Sequence, residues 1–434
     1  MQNIGYINFL LKLIAFHRFL LILAALIIFV LLFYIRIKFF KLKIDFLNTE
    51  TFDLRNKLFE LNGIIHFHST YSDGSGSIES LIDIAKELKA DFLISSDHNT
   101  LKPKLDGLEG YYGNVLYFAG EEINTEFGHF LAVGIEKEIK RGSYEKVLSD
   151  IKKQGGVAVI CHPHNWWTPW KNFNVEGYNG IEIINLDSQW RGMSPVYILL
   201  VILTYKINPF YAMHFLSHKP KKTIIFWDKA QKHKDLKVGI ASIDAHSNVK
   251  ITKKNRIKFP KYSELFSVAR THALLTAKPS GNYIEDKKAI IKALKNGKCY
   301  FSYDMFGIPK GFYYEISYGN KLYTSGDSVR FSVSDLHEMD INKMDRNVII
   351  YAGVNINPKK NVFVINLFHN GKMIFSSKNN NLVYKVKHSD LKSICKSGSV
   401  ADVSCSSFYR VEIDVYFGRK SITYLYSNNI EIYS

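Results

Sequence analysis

Between residues 59 and 300, five short apolar runs end in histidines or carboxylates, and this arrangement constrains the chain more than any other feature. Gly63-Ile64-Ile65 leads into His66 and His68, and Phe92-Leu93-Ile94 into Asp97 and His98. The run 115–118 leads into Glu121 and Glu122, the run 157–160 into His162 and His164, and the run 238–243 into Asp244 and His246. Helical segments separate the runs, and this alternation predicts parallel strands with helical crossovers. In a barrel of parallel strands every carboxyl end lies on one face, where reactive residues collect. Side chains alternate along a strand with period two, so His66 and His68 point to one side, and Asp244 and His246 repeat the arrangement. Any one of these residues alone reads as a hydrogen-bonded structural residue. Together they would bring many ionisable groups into one basin, a costly burial that divalent cations compensate.

The residues also form motifs in a fixed order. His66-Phe67-His68-Ser69-Thr70-Tyr71-Ser72-Asp73-Gly74 follows H-x-H-x-x-x-S-D-G, and Ser96-Asp97-His98-Asn99 follows [TS]-D-H-[ND]. Gly120-Glu121-Glu122-Ile123, Gly128-His129-Phe130, His162-Pro163 and Asp244-Ala245-His246 come next. On these residues the chain resembles, over roughly positions 59–300, the PHP (polymerase and histidinol phosphatase) domain family of metal-dependent phosphoesterases. The resemblance implies an α/β fold, a distorted (β/α)7 barrel, and a cluster of two or three divalent metal ions. It implies that His66, His68 and Asp244 hold one ion, His129 and His162 a second, and Asp73, His98 and His246 a third. Glu122 is then the bridging carboxylate, with the adjacent Glu121 as the alternative. Imidazole and carboxylate donors suit zinc, manganese or iron.

The implied reaction is hydrolysis of a phosphate ester by metal-activated water, with Glu122 and Asp244 at the catalytic centre and no serine or cysteine nucleophile. Asn99, His164 and Arg191 are candidates to position the ester; His164 reads equally as a loop support and Arg191 as a surface residue. Trp166, Trp167 and Trp170 either wall a substrate pocket or pack in the core or at a membrane interface. A non-phosphate ester or carbamate on the same site, and a noncatalytic metal-containing binding module, are the competing readings. Occupancy of every motif position favours the enzyme.

Phe19 to Ile35, FLLILAALIIFVLLFYI, is seventeen residues without a charge, set between Arg18 and Arg36. With snorkelling flanks it matches the roughly 30 Å hydrocarbon thickness. The expected organisation is a segment 1–18, a transmembrane anchor 19–36 and a basic juxtamembrane linker 37–58. No small-residue cleavage site precedes the basic run RIKFFKLK, so a single-pass anchor in the cell membrane is preferred to a signal peptide. Arg36, Lys38, Lys41 and Lys43 outweigh Lys12 and Arg18, which places the bulk of the chain on the cytoplasmic side and offers contacts to anionic lipid. Val196 to Leu203 is too short to cross and is expected as a core helix in preference to an interfacial one.

After the hydrolase domain, 59–300, the pattern changes to period-two alternation broken by Gly and Asn turns. Residues 301–434 are therefore expected as a β-sandwich of immunoglobulin-like type, serving as a scaffold in preference to binding or orienting a partner or substrate. His337, His369 and His388 fall there without ligand-like companions. A chain of 434 residues at 47% hydrophobic is too long for one ordinary core and too apolar for disorder. Its formal charge of +17 is spread along the sequence with no Arg-rich block, and a membrane tether limits access to a chromosome; both argue against nucleic acid as a partner. Cys161, Cys299, Cys395 and Cys405 lack C-x-x-C spacing, and Cys395 and Cys405 read as free thiols or as a bridge.

Overall fold

The computed structural model describes residues 2–47, 58–231, 237–250, 255–330, 347–387 and 406–433; His337, His388, Cys395 and Cys405 lie outside them. The chain begins with helix α1 (Gln2–Lys38), whose last turn carries Arg36 and Lys38 at the negative end of the helix dipole. The expected alternation follows: β1 (Phe59–Ile65), α2 (Ile78–Glu87), β2 (Phe92–Ser95), α3 (Lys102–Leu105), β3 (Gly110–Tyr112) and β4 (Val115–Ala119). Next come β5 (Glu121–Asn124), β6 (His129–Val133), α4 (Tyr144–Lys153), β7 (Val157–Ile160), β8 (Gly180–Asn185) and α5 (Leu186–Arg191). Then follow α6 (Pro195–Tyr205), α7 (Pro209–Met213), α8 (Lys221–Ala230), β9 (Val238–Ser242), β10 (Val249–Lys250) and β11 (Arg256–Ile257). Helix α9 (Tyr262–Phe266), β12 (Arg270–Leu275), α10 (Tyr283–Lys295) and β13 (Cys299–Ser302) complete this part.

The helices start where the sequence supplies caps. Ser77 accepts from Ser80 N at α2, and the face Ile78, Leu81, Ile82, Ala85 is buried. Ser143 caps α4 in the same way above the face Val147, Leu148, Ile151. Strands β2 and β4 contribute Phe92, Ile94, Leu116 and Phe118 to a core that also takes in Leu131, Val159 and Ile240. Each such side chain contributes about 1.5–3 kcal/mol through burial. Close packing reaches the backbone at Gly63, where a Cβ would fall 2.0 Å from the Phe92 ring.

Strands β1, β2 and β4 are parallel, as are β7, β8 and β9. Backbone contacts link the two sets at the strand ends: Phe67 bridges Ala245, and His98 bridges Glu122. The fold is thus mixed α/β, but it departs from a plain all-parallel barrel. Strand β6 runs antiparallel to β5, because only four residues separate them and no crossover helix fits, and it also pairs antiparallel with β7. On its other edge β1 pairs antiparallel with β12, and β12 with β13.

The C-terminal region is all β: β14 (Tyr313–Tyr318), β15 (Lys321–Thr324), β16 (Ser328–Arg330), β17 (Ile349–Gly353) and β18 (Val362–His369), then β19 (Lys372–Ser377), β20 (Asn381–Lys385), β21 (Ser406–Phe417), β22 (Lys420–Ser427) and β23 (Ile430–Tyr433). Strands β15, β14, β17 and β20 make one sheet. Strand β22 pairs with β13, Tyr300 opposite Ser427, so a single twelve-stranded sheet runs across the boundary expected at residue 301.

By compactness the chain divides into Met1–Leu42 with Ser194–Phe215, and Lys43–Met193 with Leu216–Ser434. In the first unit, α1 is long and apolar enough over Phe9–Lys38 to cross a membrane, with mean hydropathy 2.9; a signal sequence would satisfy the same criterion. The core helix expected at Val196–Leu203 is corrected: α6 exposes Val196, Tyr197, Leu199, Ile202 and Leu203.

Within the second unit a polar network lies under the sheet. His272 is buried, its Nδ1 2.8 Å from Glu60 and its Nε2 3.2 Å from Asp304, and its ring stacks on Tyr300. Burial opposes charge on His272, but Asp304 and Glu60 raise its pKa to about 9. A raised folded-state pKa gives stability that is complete below the unfolded value of about 6.5 and is lost as pH rises through about 9. We expect urea unfolding in detergent to show a loss on the order of 3 kcal/mol across that window, and His272→Gln to flatten it. An unchanged pH slope in the variant would remove His272 as the source.

Candidate metal centre

The strand ends of the second unit deliver six imidazoles and three carboxylates to one basin: His66, His68, His98, His129, His162 and His246 with Asp73, Glu122 and Asp244. Glu122 sits at its middle and is buried. Its Oε1 lies 2.7 Å from His129 Nδ1 and 2.9 Å from His162 Nε2. Its Oε2 lies 3.1 Å from His68 Nε2, 3.1 Å from His98 Nδ1 and 3.3 Å from His66 Nε2. Asp244 Oδ1 is 3.3 Å from His68 Nε2 and 3.5 Å from His66 Nε2. At the open side, Asp73 Oδ1 is 3.3 Å from His246 Nε2, 3.7 Å from His68 Nδ1 and 3.9 Å from His98 Nε2.

These separations fit donors that share an ion. A tetrahedral site with ligands at about 2.0–2.1 Å spaces its donor atoms roughly 3.3 Å apart. His66, His68, Glu122 and Asp244 form one such group; His98, Glu122 and His129 form another; His68, Asp73, His98 and His246 form a third. His162 approaches through Glu122. His68 and His98 each turn one ring nitrogen toward Glu122 and the other toward Asp73, so the three-ion partition implied by the resemblance is less sharp in space than in motif order. Glu122 Oε2 and His98 Nδ1 are buried without a hydrogen-bond partner although they lie 3.1 Å apart. Buried polar atoms that converge yet make no hydrogen bond are what an ion's first ligands look like.

Electrostatics point the same way. Burial opposes charge on His68, but Asp244 and Glu122 raise its pKa to about 10. Burial likewise opposes charge on His162, and Glu122 raises it to about 9. Burial alone would lift Glu122, yet the surrounding imidazoles hold it well below the usual carboxylate range. The acids thus create a negative potential that favours cations, protons or metal, at His66, His68 and His162, whereas at His98 burial prevails and lowers the pKa.

The backbone is bent to present these groups. His66, Asn99, His162, Asp244 and Ser247 have positive φ, between 32° and 63°. Such conformations cost about 1–3 kcal/mol each and persist where surrounding structure over-determines them. The loop carrying Asp73 closes on Asp97, which accepts from Ser69 N (2.8 Å) and Ser72 Oγ (2.7 Å). Gly74 completes it, since a Cβ there would fall 2.1 Å from His68 O.

Several sequence expectations take a definite place. Glu122 faces the basin; Glu121 points the other way, accepting from Ile139 N (3.0 Å), with burial lifting its pKa to about 8. His164 lies 3.2 Å from Thr223 Oγ1 and is stacked on Phe173, contacts that match the loop-support alternative. Asn99 is tied to Asn124, donating to its Oδ1 at 2.7 Å. Trp170 is buried against Phe130, whereas Trp166 and Trp167 are exposed. His369 stacks on Tyr409 in the β region, away from the basin. Arg191 donates to Asp187 and lies over the Trp167 ring. With Trp167, Trp190 and Arg256 it lines a cavity of about 570 Å³ that reaches Asp73, Asp244 and His246.

Two residues of the centre escaped the sequence reading. Glu182 bonds His66 Nδ1 and accepts from His162 N (2.8 Å) and Asn185 Nδ2 (2.8 Å). Its signal was an acid inside the apolar strand GIEIIN. Tyr262 places its hydroxyl 2.8 Å from His68 O and 2.7 Å from His246 O, and no local pattern marks it.

No model of a known protein family matches the chain. An uncharacterized protein of Methanocaldococcus jannaschii is 28% identical over 115 residues, which covers 23% of this chain and 67% of that one. Among solved structures, a two-domain protein from Bacteroides vulgatus containing a predicted PHP-like metal-dependent phosphoesterase is 12% identical, with a TM-score of 0.38, covering 90% of this chain and 98% of that one. An amidohydrolase from Chromobacterium violaceum is 14% identical, with a TM-score of 0.28, covering 43% and 87%. At such scores these likenesses establish neither a barrel nor a reaction.

The role of Glu182 is open to measurement. A carboxylate that orients a ligating imidazole typically governs metal affinity by about 10–100-fold. Glu182→Gln should weaken metal binding by that order in competition with a chelating dye, and unchanged affinity would place Glu182 outside the centre.

Proposed function

We propose that this chain is a membrane-tethered, metal-dependent hydrolase of the PHP type that acts on a phosphate ester. The observation supporting this above all others is the position of Glu122, whose two oxygens face imidazoles from four separate stretches, at His66 and His68, His98, His129, and His162. A protein gains nothing in stability from burying so many ionisable groups together unless an ion joins them. In this reading His66, His68, Glu122 and Asp244 hold one ion, His129 and His162 with Glu122 a second, and Asp73, His98 and His246 a third. Zinc, manganese and iron match the donors. When bound, the ions supply Lewis acidity and bring the pKa of a coordinated water toward about 7.

The chain's own residues supply the rest. Arg191, fixed by Asp187 and facing the same cavity as Asp244, offers a cation to the anionic oxygens of an ester. Asn185 donates to Asp244 Oδ2 (3.1 Å), which keeps that carboxylate's other oxygen turned toward His66 and His68. A cavity of about 570 Å³ suits a small molecule, and its aromatic side admits an apolar or ring-bearing group. We read residues 59–300, with their linked parallel sets, as the distorted barrel and 301–434 as a sandwich-like scaffold. Residues 19–36 serve as the span and 37–58 as its basic linker, with the bulk of the chain on the cytoplasmic side.

Metal analysis of the purified protein, joined to a screen of phosphomonoesters, phosphodiesters and carboxyl esters, tests the reading. We expect two or three divalent ions per chain and turnover of a phosphate ester. Asp244→Asn should lose metal and turnover while its circular-dichroism spectrum stays unchanged; full hydrolysis by that variant would refute the assignment. Chelation should abolish turnover in the native protein and added zinc, manganese or iron restore it, whereas activity indifferent to chelation would contradict a metal mechanism.

A further inference from the structure

Helix α6, PVYILLVILTY, carries no charge, and only Val201 and Thr204 are buried. Val196, Tyr197, Leu199, Ile202 and Leu203 are exposed. Five large apolar side chains on three turns form a patch that a helix in water would cover. At 1.5 Å per residue, its 11 residues extend about 16 Å, roughly half of the hydrocarbon core. The helix is too short to cross a bilayer and long enough to lie in one leaflet.

What it is fastened to indicates its cover. Asn208, in the turn between α6 and α7, donates to Ile37 O (2.9 Å) in the last turn of α1 and to Phe40 O (2.8 Å) just beyond it. The Phe40 ring meets Tyr211 edge-on at 4.9 Å and His214 at 4.8 Å. The hairpin is thus built onto the basic end of the helix that is apolar enough to span a membrane. Arg36 and Lys38 mark that end of α1, and Tyr205 and Lys206 mark the end of α6. Tyrosines and basic residues at the ends of apolar segments are anchors at the bilayer interface.

We infer that the α6–α7 hairpin is a second membrane element, lying in the leaflet at the basic end of α1 with the exposed face of α6 against acyl chains. The inference rests on α1 being a span. It gives the protein two points of attachment, which limits rotation about the axis of a single helix.

The test uses the full-length protein in vesicles of phosphatidylcholine and phosphatidylglycerol that contain a phospholipid with a photoactivatable diazirine on its acyl chain. After irradiation and digestion, lipid adducts are mapped by mass spectrometry. Adducts are expected in both 19–35 and 196–205. The double substitution Leu199→Gln, Leu203→Gln should lower the second set several-fold and leave the first unchanged. Adducts in 19–35 alone would overturn the inference and leave the span standing. Cross-links between the hairpins of two copies, without lipid adducts there, would assign the face to self-association and also overturn it. Absence of adducts from both segments would overturn hairpin and span together.

Discussion

A carboxylate shut away from water must be compensated, and the compensation of Glu122 organises the middle of this molecule. Its oxygens are met by imidazoles that arrive on strands far apart in sequence, and each imidazole needs its own support. Glu182 steadies His66, Tyr262 steadies the loop ends near His68 and His246, and Asp97 closes the turn that carries Asp73. Which glutamate faces inward depends on strand register. Pairing of Glu122 with Leu131 on β6, together with its bridge to His98, turns Glu122 inward and sends Glu121 to the opposite face. A slip of one residue would exchange them.

The same demand explains the backbone. Residues with side chains at Cβ do not adopt positive φ freely, yet His66, His162 and Asp244 do so, each at the end of a strand. Ladder hydrogen bonds on both sides hold them: His66 N donates to Ile94 O, Asp244 N to His66 O, and Cys161 N to His129 O beside His162. Tightly packed cores supply the stability that such local strain consumes. Phe92 against Gly63 and the cluster around Phe118 and Leu131 lie next to these strand ends.

The strand-end histidines and acids were legible because period-two alternation and motif spacing are local properties of the chain. For His164 the same local spacing does not carry over into the same geometry. It follows His162 at the spacing that works for His66 and His68, but the chain turns after Pro163, and the imidazole packs on Phe173 and Thr223. Glu182 and Tyr262 were overlooked because their contacts join residues 116 and 194 positions apart, and nothing in their immediate surroundings announces those partners. Val196 to Leu203 reads as core on hydropathy alone, since composition does not distinguish a helix covered by protein from one left exposed.

From the residues alone came the alternation of strands and helices, the apolar first helix, the all-β character of the last third and the set of groups that converge. These follow from side-chain size, polarity and spacing, which act over a few residues. Only the folded molecule settled that β6 runs antiparallel, that β22 joins β13 in one sheet across residue 301, that Glu122 is the inward glutamate, and that Glu182 stands behind His66. Those outcomes depend on pairing between distant strands, where hydrogen-bond register and close packing choose among arrangements that short-range preferences leave equally open.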